Sequence, residues 1–221
     1  MPIEDEKTTF SSTAVKQLRD EILSGAILPG TKLHVRELCG RLGISVSPVR
    51  EALNQLAAQG LVQHSDQRGF SVPSVDIEDL ADLTFARVAL NEIAVRDAIK
   101  HGDAEWEEGV LLAHHRLTRA DRNALGGPVD WEILHRRFHH ALVSACRSQR
   151  IANYCQQLFD MADRYRIVSR LGADSPRDIK AEHDAITRAA LARDADETVR
   201  LLQEHVERTD VLVREALIRV Y

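Results

Sequence analysis

Ser45-Val46-Ser47-Pro48-Val49-Arg50-Glu51-Ala52-Leu53 decides how this 221-residue chain is organised. Ser45 is a natural N-cap, and Pro48 falls in the first turn of the helix that follows, where a missing N–H costs little. That helix runs to about Gln59 and Gly60 closes it. Just upstream, Val35 to Leu42 reads as a second helix with Gly43 as its left-handed stop, and Ile44 turns back into the core. A first helix, Thr13 to Ser24, carries Val15, Leu18, Ile22 and Leu23 at helical spacing and ends at Gly25. Pro29-Gly30 is a turn signal. Downstream, Leu61–His64 and Phe70–Val72 flank a polar turn, Ser65–Gly69, which predicts a β-hairpin. Helix, helix-turn-helix and hairpin in this order predict a winged helix-turn-helix over residues 11–73, after a flexible tail at 1–10. Pro73-Ser74 marks a hinge.

From Asp76 onward the pattern is helical throughout. Asp76 caps a helix to about Lys100, stopped near Gly102, and Asp103 opens another that ends before Gly126-Gly127-Pro128. A third runs from Asp130 to about Cys146. After a break at 147–149, a fourth reaches Leu171. Ser175-Pro176-Arg177-Asp178 reads as cap, first-turn proline and acid, starting a fifth helix that ends near Arg193. A sixth runs from Asp194 or Asp196 to about Arg219. The expected fold is mainly α: an N-terminal winged helix-turn-helix plus a C-terminal antiparallel bundle of six to seven helices over 76–221.

Composition fits this division. Hydrophobic residues make up 44% of the chain, enough for packed cores, and aromatics only 5%. The net charge of −5 hides an asymmetry: residues 7–75 carry 8 Lys+Arg against 5 Asp+Glu, residues 76–221 carry 21 against 26. A mildly basic front on an acidic body suits a protein that touches DNA with one part only. Three cysteines, Cys39, Cys146 and Cys155, form no disulfide framework and read as reduced thiols, with Cys39 buried. The acidic start is no signal peptide and no apolar run is long enough for a membrane span, so the expected location is cytoplasmic and no membrane partner is expected.

The ten histidines contain one informative set. His135 and His139 are four residues apart and so share a helix face. His183 and His205 follow 44 and 22 residues further on, each on its own predicted helix. Neutral imidazoles are good ligands for zinc, nickel or another first-row divalent ion. Of the others, His101, His114, His115 and His140 read as solvated.

The Pro-Val-Arg-Glu-Ala-Leu block, with Leu33–Leu42 and Gly-Leu-Val at 60–62, resembles the recognition module of the GntR family of bacterial regulators. The Phe138-His139, Glu182-His183 and His205 series resembles that family's FadR-type (FCD) effector domain. The resemblance covers about residues 12–217. It implies a ligand-responsive transcriptional repressor, not an enzyme. The implied partner is a palindromic double-stranded DNA operator, bound as a homodimer with one recognition helix per major groove. The family's DNA-contacting positions match Arg36, Ser45, Ser47 and Arg50 here, and Gly69 at the wing tip allows close approach to the duplex. Where the family often carries Arg-Thr-Pro, this chain has Val46-Ser47-Pro48. A cation is lost, and Val46 instead suits a thymine methyl.

The resemblance also implies a divalent metal on three helices, with His139, His183 and His205 as ligands. The family's usual Asp is replaced by His135, which either completes a four-histidine site or leaves a three-histidine one. Four neutral ligands leave the full +2 of the ion, which should draw a small organic acid into an open coordination position. Arg87 matches a pocket arginine, and Arg164 and Tyr165 are further effector-binding candidates. Phe85 and Asn91 stand where the family commonly has acids. Two other readings of the histidines are a metal-dependent hydrolase and a purely structural ion.

Overall fold

The computed structural model describes residues 9–120, 127–170 and 177–220, which fall into two compact units divided between Val75 and Asp76. In the first unit α1 (Phe10–Ser24) is followed by β1 (Lys32–Leu33), α2 (Val35–Leu42), α3 (Val46–Ala58), β2 (Gln63–Ser65) and β3 (Gly69–Ser71). Thr9 starts α1 three residues earlier than expected, because its hydroxyl accepts from the Ser12 N–H. Gly25 and Gly43 end α1 and α2 in the left-handed conformation, at φ 82° and 68°. The core is apolar: Leu18, Val49, Ala52, Leu53 and Leu56 have no exposed surface. Truncating any of these leucines to Ala would cost about 2–5 kcal/mol.

The sheet is antiparallel with order β1-β3-β2, pairing Leu33 with Phe70 and His64 with Phe70. Two residues are too few to show an alternating pattern, so β1 was not expected. The hairpin strands also shift. Leu61 and Val62 are buried, but their N–H groups go back to the Leu56 carbonyl, so they plug the core beneath α3 rather than begin a strand.

The second unit holds α4 (Ile77–His101), α5 (Ala104–Arg119), α6 (Gly127–Val143), α7 (Gln149–Arg170), α8 (Ile179–Leu191) and α9 (Ala195–Val220). Asp76 caps α4 by accepting from Glu78 N–H (2.8 Å) and Asp79 N–H (3.0 Å). Asp103 caps α5 through Trp106 N–H (3.0 Å). Acids in the first turn of α4 and Lys100 and His101 in its last complement the helix dipole. α4 runs antiparallel to α9: Thr84 bonds Asp210 near one end and Arg96 bonds Asp196 near the other. Gly102 is required by close approach, since a Cβ there would lie 2.6 Å from the Trp106 ring and 2.8 Å from the Ala98 carbonyl.

Two expected boundaries move. α6 begins at Gly127 instead of Asp130, with Pro128 in its first turn. α8 begins after Asp178, whose carboxylate accepts from Ala181 N–H (2.9 Å), so Asp178 and not Ser175 is the cap. Ser175 and Pro176 lie outside the described residues, as do residues 1–8. One face of α4 stays outside the bundle: Ile77, Ala81, Phe85, Ala89 and Ile93, spaced by four, are all exposed. Phe85 is 76% exposed and points outward. Cys39 is only partly buried, whereas Cys146 and Cys155 are buried, and all three are free thiols.

Candidate metal centre and nucleic-acid interface

α6, α8 and α9 bring His135, His139, His183 and His205 together. All four are buried, and each offers a nitrogen within 4.8 Å of the others. One turn of α6 separates His135 and His139, whose Nε2 atoms face each other at 3.1 Å. His183 Nε2 is buried with no hydrogen-bond partner. Trp131 stacks on His135 at 4.6 Å, Phe138 packs against His139 and His183, and Phe159 packs against His135 and His139, an apolar lining for the cluster. Burial, followed by repulsion from neighbouring imidazoles, holds His135, His139 and His183 well below the ordinary histidine range. Burial also pushes His205 down, to about 4, although Glu182 opposes the shift. The rings are therefore neutral, the form that donates lone pairs to a metal. Converging nitrogens with an orphaned Nε2 in an apolar setting fit a divalent ion.

A surrounding layer orients the ligands. His205 donates through Nδ1 to Glu182 Oε2 at 2.8 Å, leaving Nε2 for the cluster, and Glu182 is clamped by Arg177. Glu132, one turn before His135, lies 3.9 Å from its Nδ1 and pairs with Arg166 at 3.2 Å. Arg166 also pairs with Asp163, and Arg136 bridges Asp160 and Asp163. Glu132, Asp160 and Asp163 were not foreseen. Their i,i+3 relations, Glu132 to His135 and Asp160 to Asp163, were the available signal. The three acids are taken up by Arg136 and Arg166, and none of these ion pairs includes Arg87.

Arg87 stands apart from the other buried arginines. It is 7% exposed, its Nε has no hydrogen-bond partner, and its guanidinium lies 5.4 Å from the Phe159 ring centroid. Burial, with Arg166 nearby, lowers its pKa to about 9. Phe159 also contacts His135 and His139 and lines a small cavity of about 20 Å³ with Asn91, Arg136, His139 and Cys155. Arg164 and Tyr165 are placed differently from their expected role. Tyr165 donates to Asp79 (2.5 Å) and to the Asp76 carbonyl (3.1 Å), and Arg164 pairs with Asp79, so both anchor the start of α4 to α7. Of the other histidines, His115 and His140 are exposed, whereas His114 contacts Asp184 at 2.8 Å and His101 contacts Asp97 at 3.2 Å.

In the first unit Arg36, Ser45, Val46, Ser47 and Arg50 are all exposed, on α2 and the start of α3. The opposite face of α3 supplies Val49, Ala52, Leu53 and Leu56 to the core, which sets the outward direction. Ser45 occupies the N-cap position but makes no side-chain cap bond, so its hydroxyl is available. Arg36 and Arg50 have no ion-pair partner among the described residues, whereas Arg41 of the same unit is held by Glu21 at 2.6 Å. Gly69 is exposed at φ 72°, a conformation that suits glycine, and the neighbouring Arg68 places a cation in the wing turn. Arg68 had not been singled out; its place in a polar turn between hairpin strands was the clue.

A winged helix presenting unpaired arginines, joined in one chain to a helical bundle, defines a class of DNA-binding transcriptional regulator. The chain belongs to the GntR family of bacterial regulatory proteins, whose pattern matches residues 10–72, and its second unit matches the FCD domain over residues 82–208. It is 36% identical over 219 residues to the uncharacterized HTH-type transcriptional regulator BphR of Paraburkholderia xenovorans (strain LB400), covering 97% of this chain and 89% of that one. It is 31% identical to the HTH-type transcriptional repressor GlaR of Escherichia coli (strain K12), covering 95% and 98%. The solved structure of E. coli McbR/YncC shares the fold, with a TM-score of 0.80 at 20% identity over 94% of this chain and 98% of that one. Among the described residues no helix is long and apolar enough to cross a membrane.

Proposed function

We propose that this protein is a metal-containing repressor that binds a palindromic operator as a homodimer and changes its DNA affinity when a small organic acid enters the histidine domain. Arg87 carries this reading. A buried cation without a carboxylate costs several kcal/mol, and an anionic ligand beside the histidines would remove that cost. His135, His139, His183 and His205 would hold zinc or nickel, which supplies a Lewis-acidic coordination point for a carboxylate oxygen. Arg87 would pair with the effector's negative charge. The cavity beside His139, about 20 Å³, has room for about one water-sized group, so an acid would enter only as the surrounding side chains move aside.

Arg50 and Arg36 would contact base edges or phosphates, Ser45 and Ser47 phosphates, and Val46 a thymine methyl. Gly69 would let the wing backbone approach the duplex, with Arg68 on a phosphate. The exposed stripe Ile77, Ala81, Phe85, Ala89 and Ile93 supports self-association, because its alanines permit close helix approach and its large residues need cover. A hydrolase reading lacks support: Glu182 and Glu132, the acids beside the histidines, are each paired with an arginine.

The test is operator binding by metal-loaded protein across a panel of small carboxylates. A responsive acid should shift affinity by about 5–150-fold, the usual range of coupling. An Arg87→Met variant should bind the operator as well as wild type and ignore the acid. Operator affinity that no acid changes would defeat the ligand-responsive reading.

A further inference from the structure

The geometry points to a second ligand site, a groove between α5 and α6 that binds a small amphipathic organic anion. Arg136, His139 and Val143 face the cavity described above, whereas Leu134, Arg137 and Ala141 lie on another face of α6 and, with Ser144 just past its end, line this groove. Gly109, Leu112 and Arg116 of α5 complete it, and His140 borders both spaces. The groove has a volume of about 320 Å³, at the lower end of the range of small-molecule sites.

Three observations support a ligand here. Arg116 and Arg137 are exposed and have no carboxylate or hydrogen-bond partner among the described residues. Arg96, Arg147, Arg193 and Arg200 of the bundle surface each hold a carboxylate; Arg116 and Arg137 do not, and both line this one groove. Leu112, on the groove wall, is a leucine 49% exposed to water. Gly109 sits inside α5, where glycine is disfavoured. A Cβ there would meet nothing within 4 Å, so packing within the chain does not require the missing side chain. An apolar floor under two free cations matches a molecule with a ring or short chain at one end and a carboxylate, sulfonate or phosphate at the other.

The probe is 8-anilinonaphthalene-1-sulfonate, with neutral N-phenyl-1-naphthylamine as its uncharged counterpart, titrated by fluorescence into full-length, metal-loaded protein. One sulfonate should bind per protomer, at least about tenfold more tightly than the neutral compound, as expected for a charge-assisted contact. An Arg116→Ala/Arg137→Ala variant should lower sulfonate affinity to that of the neutral compound and leave the latter unchanged. Gly109→Leu, whose side chain projects into open space, should lose both probes while keeping the wild-type melting temperature, metal content and operator affinity. Sulfonate binding that either variant retains in full would overturn the proposal, as would equal affinity for the charged and neutral probes.

Discussion

Arg50 and Arg87 are both arginines without an ion-pair partner among the described residues, and the contrast between them explains the two halves of the molecule. Arg50 is exposed on α3, where water solvates it and leaving it free costs the fold nothing. Arg87 is buried among Phe159, Arg166 and the histidine layer, where its charge is expensive and its pKa falls to about 9. An exposed free cation needs only to meet a polyanion, so the DNA face can be a simple surface. On the proposed function, an anion would relieve a buried one, which would link ligand binding to the packing of α4, α6, α7 and α9. The same chemistry in two dielectrics would then separate a recognition surface from a sensing site.

Stripping the metal should give the largest effect. If the cluster binds its ion at a thousandfold excess over Kd, chelation should remove about 4 kcal/mol of stability, seen as a lower melting temperature that added zinc or nickel restores. Next, Arg50→Ala should weaken operator binding by about 1–3 kcal/mol and leave thermal stability within about 0.5 kcal/mol of wild type. Arg87→Met should do the reverse: unchanged or higher stability without effector, unchanged operator affinity, and no response to the acid. A variant of either arginine that damages both properties would break the comparison. Arg68→Ala should lower the slope of log affinity against log salt by about one, measured by operator titrations at several salt concentrations. Smallest, Asp178→Ala should cost about 1 kcal/mol in a denaturant melt, because it removes the cap of the helix that carries His183.

What could be read beforehand follows the range of the interactions involved. α2 spans Val35–Leu42 as expected because its stop signal, Gly43, is adjacent, and Asp76 and Asp103 cap α4 and α5 for the same local reason. The four histidines were legible because imidazoles on three helix faces suggest one chemistry. The layer around them was not. Glu132, Asp160 and Asp163 look like solvated helix acids until Arg136 and Arg166 fold over them. Arg164 and Tyr165 suggested a pocket, but contacts 85 and 86 residues away along the chain draw them to Asp79. β1 escaped notice for a related reason, since a two-residue strand exists only through its pairing with β3. Ser175-Pro176 offered a persuasive local start for α8, yet the capping bond is made by Asp178.

The most direct test of the account is metal content per protomer, by mass spectrometry of protein purified without a histidine tag or chelator. The account predicts about one equivalent of zinc or nickel, lost in a His183→Ala/His205→Ala variant. No bound metal, even after incubation with both ions, would contradict the assignment of the four histidines and leave Arg87 to be explained by a ligand that needs no metal.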